Sequence, residues 1–223
     1  MHLNILQCFR TMSLGSNIQS VHSGTSVKNV NHSIIYVADF TERTKRMQVK
    51  RHVEISSAQL LDPADTTGTT LMDSLIIHND KNYQIEVVLL ADDVFSNIIT
   101  KRKHSNKHCE GCFSIMGTSS PQWVAFMELK DCSPNSKCID KHAFSARRQI
   151  YNVVQDLRAR KIIGKEKIYG IISFPQFKTS FNSIITGDDI IVATRLKKYT
   201  GVIFYGTNEA YIVSEDLIRP ELK

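Results

Sequence analysis

Glu128 and Lys130 are the residues whose types and spacing most plainly permit chemistry in this chain. They close the run Trp123-Val124-Ala125-Phe126-Met127-Glu128-Leu129-Lys130, where an apolar stretch ends in a carboxylate, one apolar residue and an amine. Side chains alternate faces along a strand, so the acid and the amine point one way and Leu129 the other. Charges at the end of an otherwise buried strand cost desolvation, and a divalent cation with an anionic substrate is a common reason to keep them. The chemistry that fits is phosphodiester hydrolysis. A hard ion such as Mg²⁺ or Mn²⁺ takes oxygen ligands, here the Glu128 carboxylate and the backbone carbonyl of Leu129. Such an ion offsets phosphoryl charge and acidifies an attacking water. Lys130 then orients that water or holds a phosphate oxygen. The plain alternative is a same-face ion pair on an edge strand, worth ~0–1 kcal/mol.

The elements that must position these residues are clearest in the second half. Residues 112–116 and 122–130 read as two strands joined by a turn at 117–121, a hairpin by spacing. A polar loop follows at 131–140. Ala143, Ala146, Ile150, Val153, Val154 and Leu157 then recur at three- and four-residue intervals, which predicts a helix over about 141–160, ended by Gly164. Residues 168–175 are a further apolar strand, stopped by Pro175. A hairpin, a helix and a return strand make a mixed sheet with the helix on one face.

The first half is less legible. Residues 1–33 are rich in Ser, Asn and Thr and predict a poorly ordered or loosely docked leader. Residues 34–80 predict a β-rich extension, with strands near 33–40, 53–55 and 71–77. Residues 83–90 are a strand or the opening of a helix running through Asp92, Asp93 and Ile98. The main domain is expected over 81–223, with two more short strands at 188–194 and 200–205.

This order of parts resembles the PD-(D/E)xK nuclease superfamily, over roughly residues 84–175. Glu128-Leu129-Lys130 matches the family's acid-x-Lys triplet, and Gln149, in Ala146-Arg147-Arg148-Gln149-Ile150, matches its helix glutamine. The resemblance implies an α/β fold whose central mixed sheet is of the restriction-endonuclease-like type. It also implies a Mg²⁺- or Mn²⁺-dependent deoxyribonuclease, often a homodimer. Glu128 and Leu129 would then ligate the metal, Lys130 would sit at the attacking water, and Gln149 would support one or the other. The family's first acid is an aspartate across the hairpin, and the first strand here contains none. Glu110, in His108-Cys109-Glu110-Gly111-Cys112, is the nearest substitute as a metal ligand; Asp92 or Asp93 could serve from the preceding element. Loss of that acid is how members of the fold become inactive, so a nuclease-like protein that only binds nucleic acid or assembles with partners is the competing class.

Lys101, Arg102, Lys103 and Lys107 before the triplet, with Arg147 and Arg148 after it, suit DNA phosphate contacts or simply a solvated surface. The thiols offer another chemistry. Cys109-x-x-Cys112 with Cys132 and Cys138 has the count for a structural Zn²⁺ site, His104 or His108 serving as stand-ins, in a zinc-stabilised nucleic-acid-binding module. The bland alternative places Cys112 in the core and leaves Cys109 an ordinary thiol.

The 28 basic and 22 acidic residues give a net charge of +6, compatible with a polyanionic partner without demanding one. No apolar run reaches membrane-spanning length, and the first residues do not read as a secretory signal, so a cytoplasmic protein with reduced thiols is expected. Neither a Gly-rich phosphate loop nor a Gly-x-Ser-x-Gly or His-Glu-x-x-His motif occurs, which leaves nucleotide hydrolysis and serine hydrolysis without support.

Overall fold

The computed structural model describes residues 13–90, 108–116, 121–131, 136–187 and 190–220, with backbone alone for 136, 138 and 190–192. The elements run α1 (Leu14–Val21), β1 (Ser26–Val30), β2 (Ile34–Asp39), α2 (Thr41–Thr44), β3 (Val53–Ser56), β4 (Leu75–His78), β5 (Ile85–Leu89), β6 (Gly111–Ile115), β7 (Trp123–Leu129), α3 (Ser136–Ala159), β8 (Lys167–Ser173), α4 (Asn182–Thr186), α5 (Ile190–Thr200), β9 (Ile203–Gly206), β10 (Glu209–Ser214) and β11 (Leu217–Arg219). The result is a mixed α/β fold: two central sheets flanked by helices, with α1, α3, α4 and α5 packed on the larger sheet.

The larger sheet has the order β1-β5-β6-β7-β8-β9. Its first four strands pair antiparallel, and β7, β8 and β9 pair parallel. The return from β7 to β8 passes through α3, the long crossover that a parallel pair requires. Period-two alternation divides this sheet cleanly. Val124 and Phe126 of β7 face a helical layer, where they meet Ile150, Val153 and Leu157 of α3, Ile18 of α1 and Ile185 of α4. Trp123, Ala125 and Met127 face the other way, onto Ile35, Val37, Leu75 and Ile77 of the second sheet. Every residue of β7 is therefore buried, and apart from Glu128 its sequence is an apolar run without alternation. Trp123 is a packing residue, edge-on to Phe113 at 5.8 Å between ring centroids and to Tyr169 at 6.5 Å.

The second sheet has the order β11-β10-β4-β2-β3, so strands from residues 34–78 share one sheet with strands from 209–219. The segment expected as a loosely docked leader supplies α1 and an edge strand of the larger sheet from residue 13 onward. Ser13 caps α1 by accepting the Ser16 N–H, and the Gly15 N–H donates to the buried Glu86 carboxylate at 2.6 Å. A Cβ on Gly15 would lie 2.7 Å from Val27 and 2.9 Å from the Glu86 carboxyl carbon, which is why glycine stands there. Just past α1, His22 contacts Asp156 of α3 at 2.7 Å, and Arg160 donates to both Asp156 oxygens at 3.0 Å.

Two local expectations are corrected. Helix α3 runs Ser136–Ala159, starting inside the segment expected as a polar loop over 131–140 and ending five residues before Gly164. Lys161 adopts φ 60°, its N–H bonds to Arg158 O, and the Ile162 N–H reaches back to Leu157 O at 2.9 Å. That is a Schellman stop made by a lysine in the left-handed region. The strand expected at 188–194 is instead the start of α5, while residues 188–189 lie outside the described set. Its β-branched Ile190, Ile191 and Val192 suit a strand by propensity, and packing of the following turns overrides that weak preference. Residues 83–90 resolve as strand β5; Asp92, Asp93, Ile98 and the Lys101, Arg102, Lys103, Lys107 cluster lie outside the described residues, as does the turn at 117–120. Among the described residues no helix is long and apolar enough to cross a membrane.

Candidate active site

The carboxyl end of β7 opens into a cleft of about 640 Å³ lined by Glu110, Leu129, Lys130 and Asp131, by His142 of α3, and by Asp39, Thr41 and His52 from the second sheet and its connections. Alternation puts Glu128 on the helix-facing side of β7, with Phe126 and not with Met127. Its side chain is fully buried. The Lys130 ammonium, in ion-pair contact with it, compensates its charge. Burial pushes the Glu128 carboxyl up to about 7, opposed by Lys130 and reinforced by the nearby Asp39 carboxylate.

Lys130 follows the last residue of β7 and continues its ladder, donating its backbone N–H to Ser173 O at 2.9 Å. Its Nζ also donates to Oε1 of Gln149 at 3.0 Å. Gln149 is fixed in turn, because its Nε2 donates to the carbonyl of His108 at 2.8 Å. The amide is thereby assigned one acceptor and one donor role, and of the two roles expected for Gln149 the structure displays the brace on Lys130. The ammonium is held by Glu128 below and Gln149 beside it while a fifth of its side chain stays open to the cleft.

Glu110 enters from the residue before β6. Gly111 pairs with Met127, yet the Glu110 N–H also donates to Met127 O, at 3.1 Å. Two residues thus face one, as in a β-bulge, a device that re-aims side chains at sheet edges and sites. The half-buried Glu110 side chain lines the cleft with Lys130. Gly111 is obligatory here, since a Cβ would overlap the Val88 carbonyl of β5.

Two acids at this cleft escaped the sequence. Asp39 ends β2 and lines the cleft from the second sheet, its Oδ1 accepting the Thr41 N–H at 2.8 Å. The signal that could have found it is the one that found Glu128, an apolar strand closing on a carboxylate. Asp131 is half-buried and its carboxyl is raised, by burial first, against the opposing pull of Arg43 at 3.4 Å and the hydrogen bond from Gln176.

The oxygen donors present suit a hard cation. Glu128 offers a buried carboxylate paired with Lys130, and Glu110 and Leu129 line the cleft. Among the described residues no three His, Cys, Asp or Glu side chains gather tightly enough to hold a metal by themselves. That is compatible with Mg²⁺, which often takes one or two carboxylates and leaves its remaining positions to water and phosphate.

The other sequence candidates separate. Arg147 donates to Ile185 O at 2.5 Å and so braces α4, whereas Arg148 is exposed. Cys109 and Cys112 are fully buried in the apolar core, where desolvation raises both thiols well above their usual range. Cys132 and the side chain of Cys138 lie outside the described residues, as does His104. Comparison with family models, curated proteins and solved structures finds no match to this chain.

Proposed function

We propose that this chain is a metal-dependent nuclease, built on a restriction-endonuclease-like core and hydrolysing phosphodiester bonds in DNA. The order β5-β6-β7-α3-β8 supports the core: three antiparallel strands, a crossover helix and a strand parallel to the third. The observation that carries the activity is the coupling of Lys130 to both Glu128 and Gln149 at the cleft. A solvated ion pair does not require full burial of its acid or an amide brace fixed by a second bond.

Mg²⁺ or Mn²⁺, when bound by Glu128, Glu110 and the Leu129 carbonyl, would offset phosphoryl charge and acidify an attacking water. The chain's own residues supply the rest. Glu128 must be ionised to act as a ligand, and Lys130 favours that form. The Lys130 ammonium, held toward the cleft, donates to a phosphate oxygen or orients the water. Gln149 keeps Lys130 in place by way of the His108 carbonyl.

The test is incubation of supercoiled plasmid and single-stranded DNA with Mg²⁺ or Mn²⁺. Cleavage is expected from the parent and a loss of ~10²–10⁴-fold from Lys130→Ala. Intact DNA of both forms with both ions would overturn the proposal. A non-catalytic nucleic-acid-binding or assembly protein is the second reading, favoured by the want of a third clustered metal-ligating side chain among the described residues. It predicts nucleic-acid affinity unchanged by Glu128→Ala and no cleavage.

A further inference from the structure

The outward face of the first half of α3 carries Lys137, Lys141, Phe144 and Arg148, spaced four, three and four residues apart. At ~100° per residue these four fall within an arc of about 60°, opposite the face that buries Ala146, Ile150 and Val153. All four are exposed, Phe144 to 67%. The three cations make no ion pair or hydrogen bond with a described residue. One exposed carboxylate, Asp140, borders them.

We propose that this face docks a single strand of nucleic acid and leads it to the cleft. The inference rests on the nuclease reading, since it names how that site receives its substrate. Cations at this spacing suit successive phosphates, and an exposed aromatic ring among them suits the face of an unpaired base. Phe144 gains nothing from the core, and it is a single ring among charges. A protein partner or a second copy would call for a contiguous apolar patch.

Position singles out this stripe over Tyr199, the other exposed aromatic among the described residues. Tyr199 lies near the far end of α3, where Arg158 donates to Thr200 O at 3.0 Å. The Lys137–Arg148 stripe shares its helical turns with His142, which lines the cleft, and with Gln149, which holds Lys130. From Lys137 to Arg148 the helix rises about 16 Å.

The experiment measures binding in excess chelator, so that cleavage plays no part, using labelled fifteen-nucleotide oligothymidine and a blunt duplex of equal length. The parent binds the strand. Phe144→Ala weakens strand binding about tenfold and leaves duplex affinity unchanged, while Phe144→Tyr restores it. Lys141→Gln and Arg148→Gln each reduce the slope of log affinity against log salt by about 0.7. No strand binding by the parent, or equal strand affinity of Phe144→Ala and the parent with matching thermal melts, overturns the proposal. So does a dimer in sedimentation that Phe144→Ala dissolves. Plasmid cleavage with unaltered binding in all four variants removes the docking surface and keeps the nuclease. Absent cleavage with the stated binding losses removes the nuclease and keeps the docking surface.

Discussion

Lys130, just past the end of β7, donates a hydrogen bond to Gln149 of α3 at 3.0 Å, joining two residues 19 positions apart in the chain. Gln149 cannot turn away, because its other end is bound to the His108 carbonyl. It acts as a positioning residue for the ammonium. Gln149→Ala is expected to lower kcat by about 10–100-fold, the worth of a hydrogen bond to a charged group, with a small change in KM. Equal losses in KM and thermal stability with kcat preserved would mark Gln149 as structural.

The buried Glu128 makes stability depend on pH in a defined direction, and on the proposed reading of Glu128 as a metal ligand cation binding follows it. Burial raises its carboxyl to about 7 in the fold, against about 4.3 in an unfolded chain. The raised value means that the neutral acid favours folding. This contribution is fully present below about pH 4 and is lost as the pH rises through 7. Glu128→Gln should therefore gain stability relative to the parent between pH 5 and pH 8, read from urea midpoints at each pH. Because the cation needs the carboxylate, Mn²⁺ affinity of the parent should climb about tenfold per pH unit up to 7 and then level. A flat Mn²⁺ titration from pH 5 to pH 8 would remove Glu128 from the cation site.

Gly111 tests the bulge that brings Glu110 to the cleft. An alanine there would meet the Val88 carbonyl, a backbone atom inside the sheet that cannot swing aside. Gly111→Ala should cost ~1–3 kcal/mol in chemical denaturation and lower cleavage more than the same loss of stability elsewhere.

The docking of α1 depends on Asp156, which is fully buried between His22 and Arg160. Asp156→Ala leaves both partners without their shared acceptor, and ~3–5 kcal/mol of destabilisation is expected. Limited proteolysis should then cut between α1 and β2 before the rest of the molecule. Uniform resistance at that segment would show that apolar contacts of Ile18 alone hold it.

The buried thiols of Cys109 and Cys112 should resist alkylation of the native protein at neutral pH, since desolvation disfavours the thiolate that reacts. Peptide mapping after iodoacetamide, native against unfolded, checks this. Rapid native labelling of either would place it outside the core.

Local pattern was enough for much of this site. Glu128 and Lys130 share a face because a strand alternates, and α3 follows from apolar residues three and four apart. Gln149, in turn, faces the sheet because it stands on the flank between that apolar stripe and solvent. What local pattern could not supply depends on partners distant in the chain. Glu209 pairs with Ile76, far earlier in the chain, so the second sheet, and the Asp39 it brings to the cleft, exists only once the chain has folded. Residues 13–33 look weakly structured in isolation, yet Glu86 and Asp156, 71 and 134 positions along the chain from their partners, hold them. Lys161 stops α3 through a left-handed turn that composition assigns to glycine, and α5 overrides the strand preference of its first residues. Alternation and helical periodicity act over a few residues and survive in the bare chain. Sheet partners, buried ion pairs and the walls of a cleft are contacts between distant segments, and they have no meaning until the segments meet.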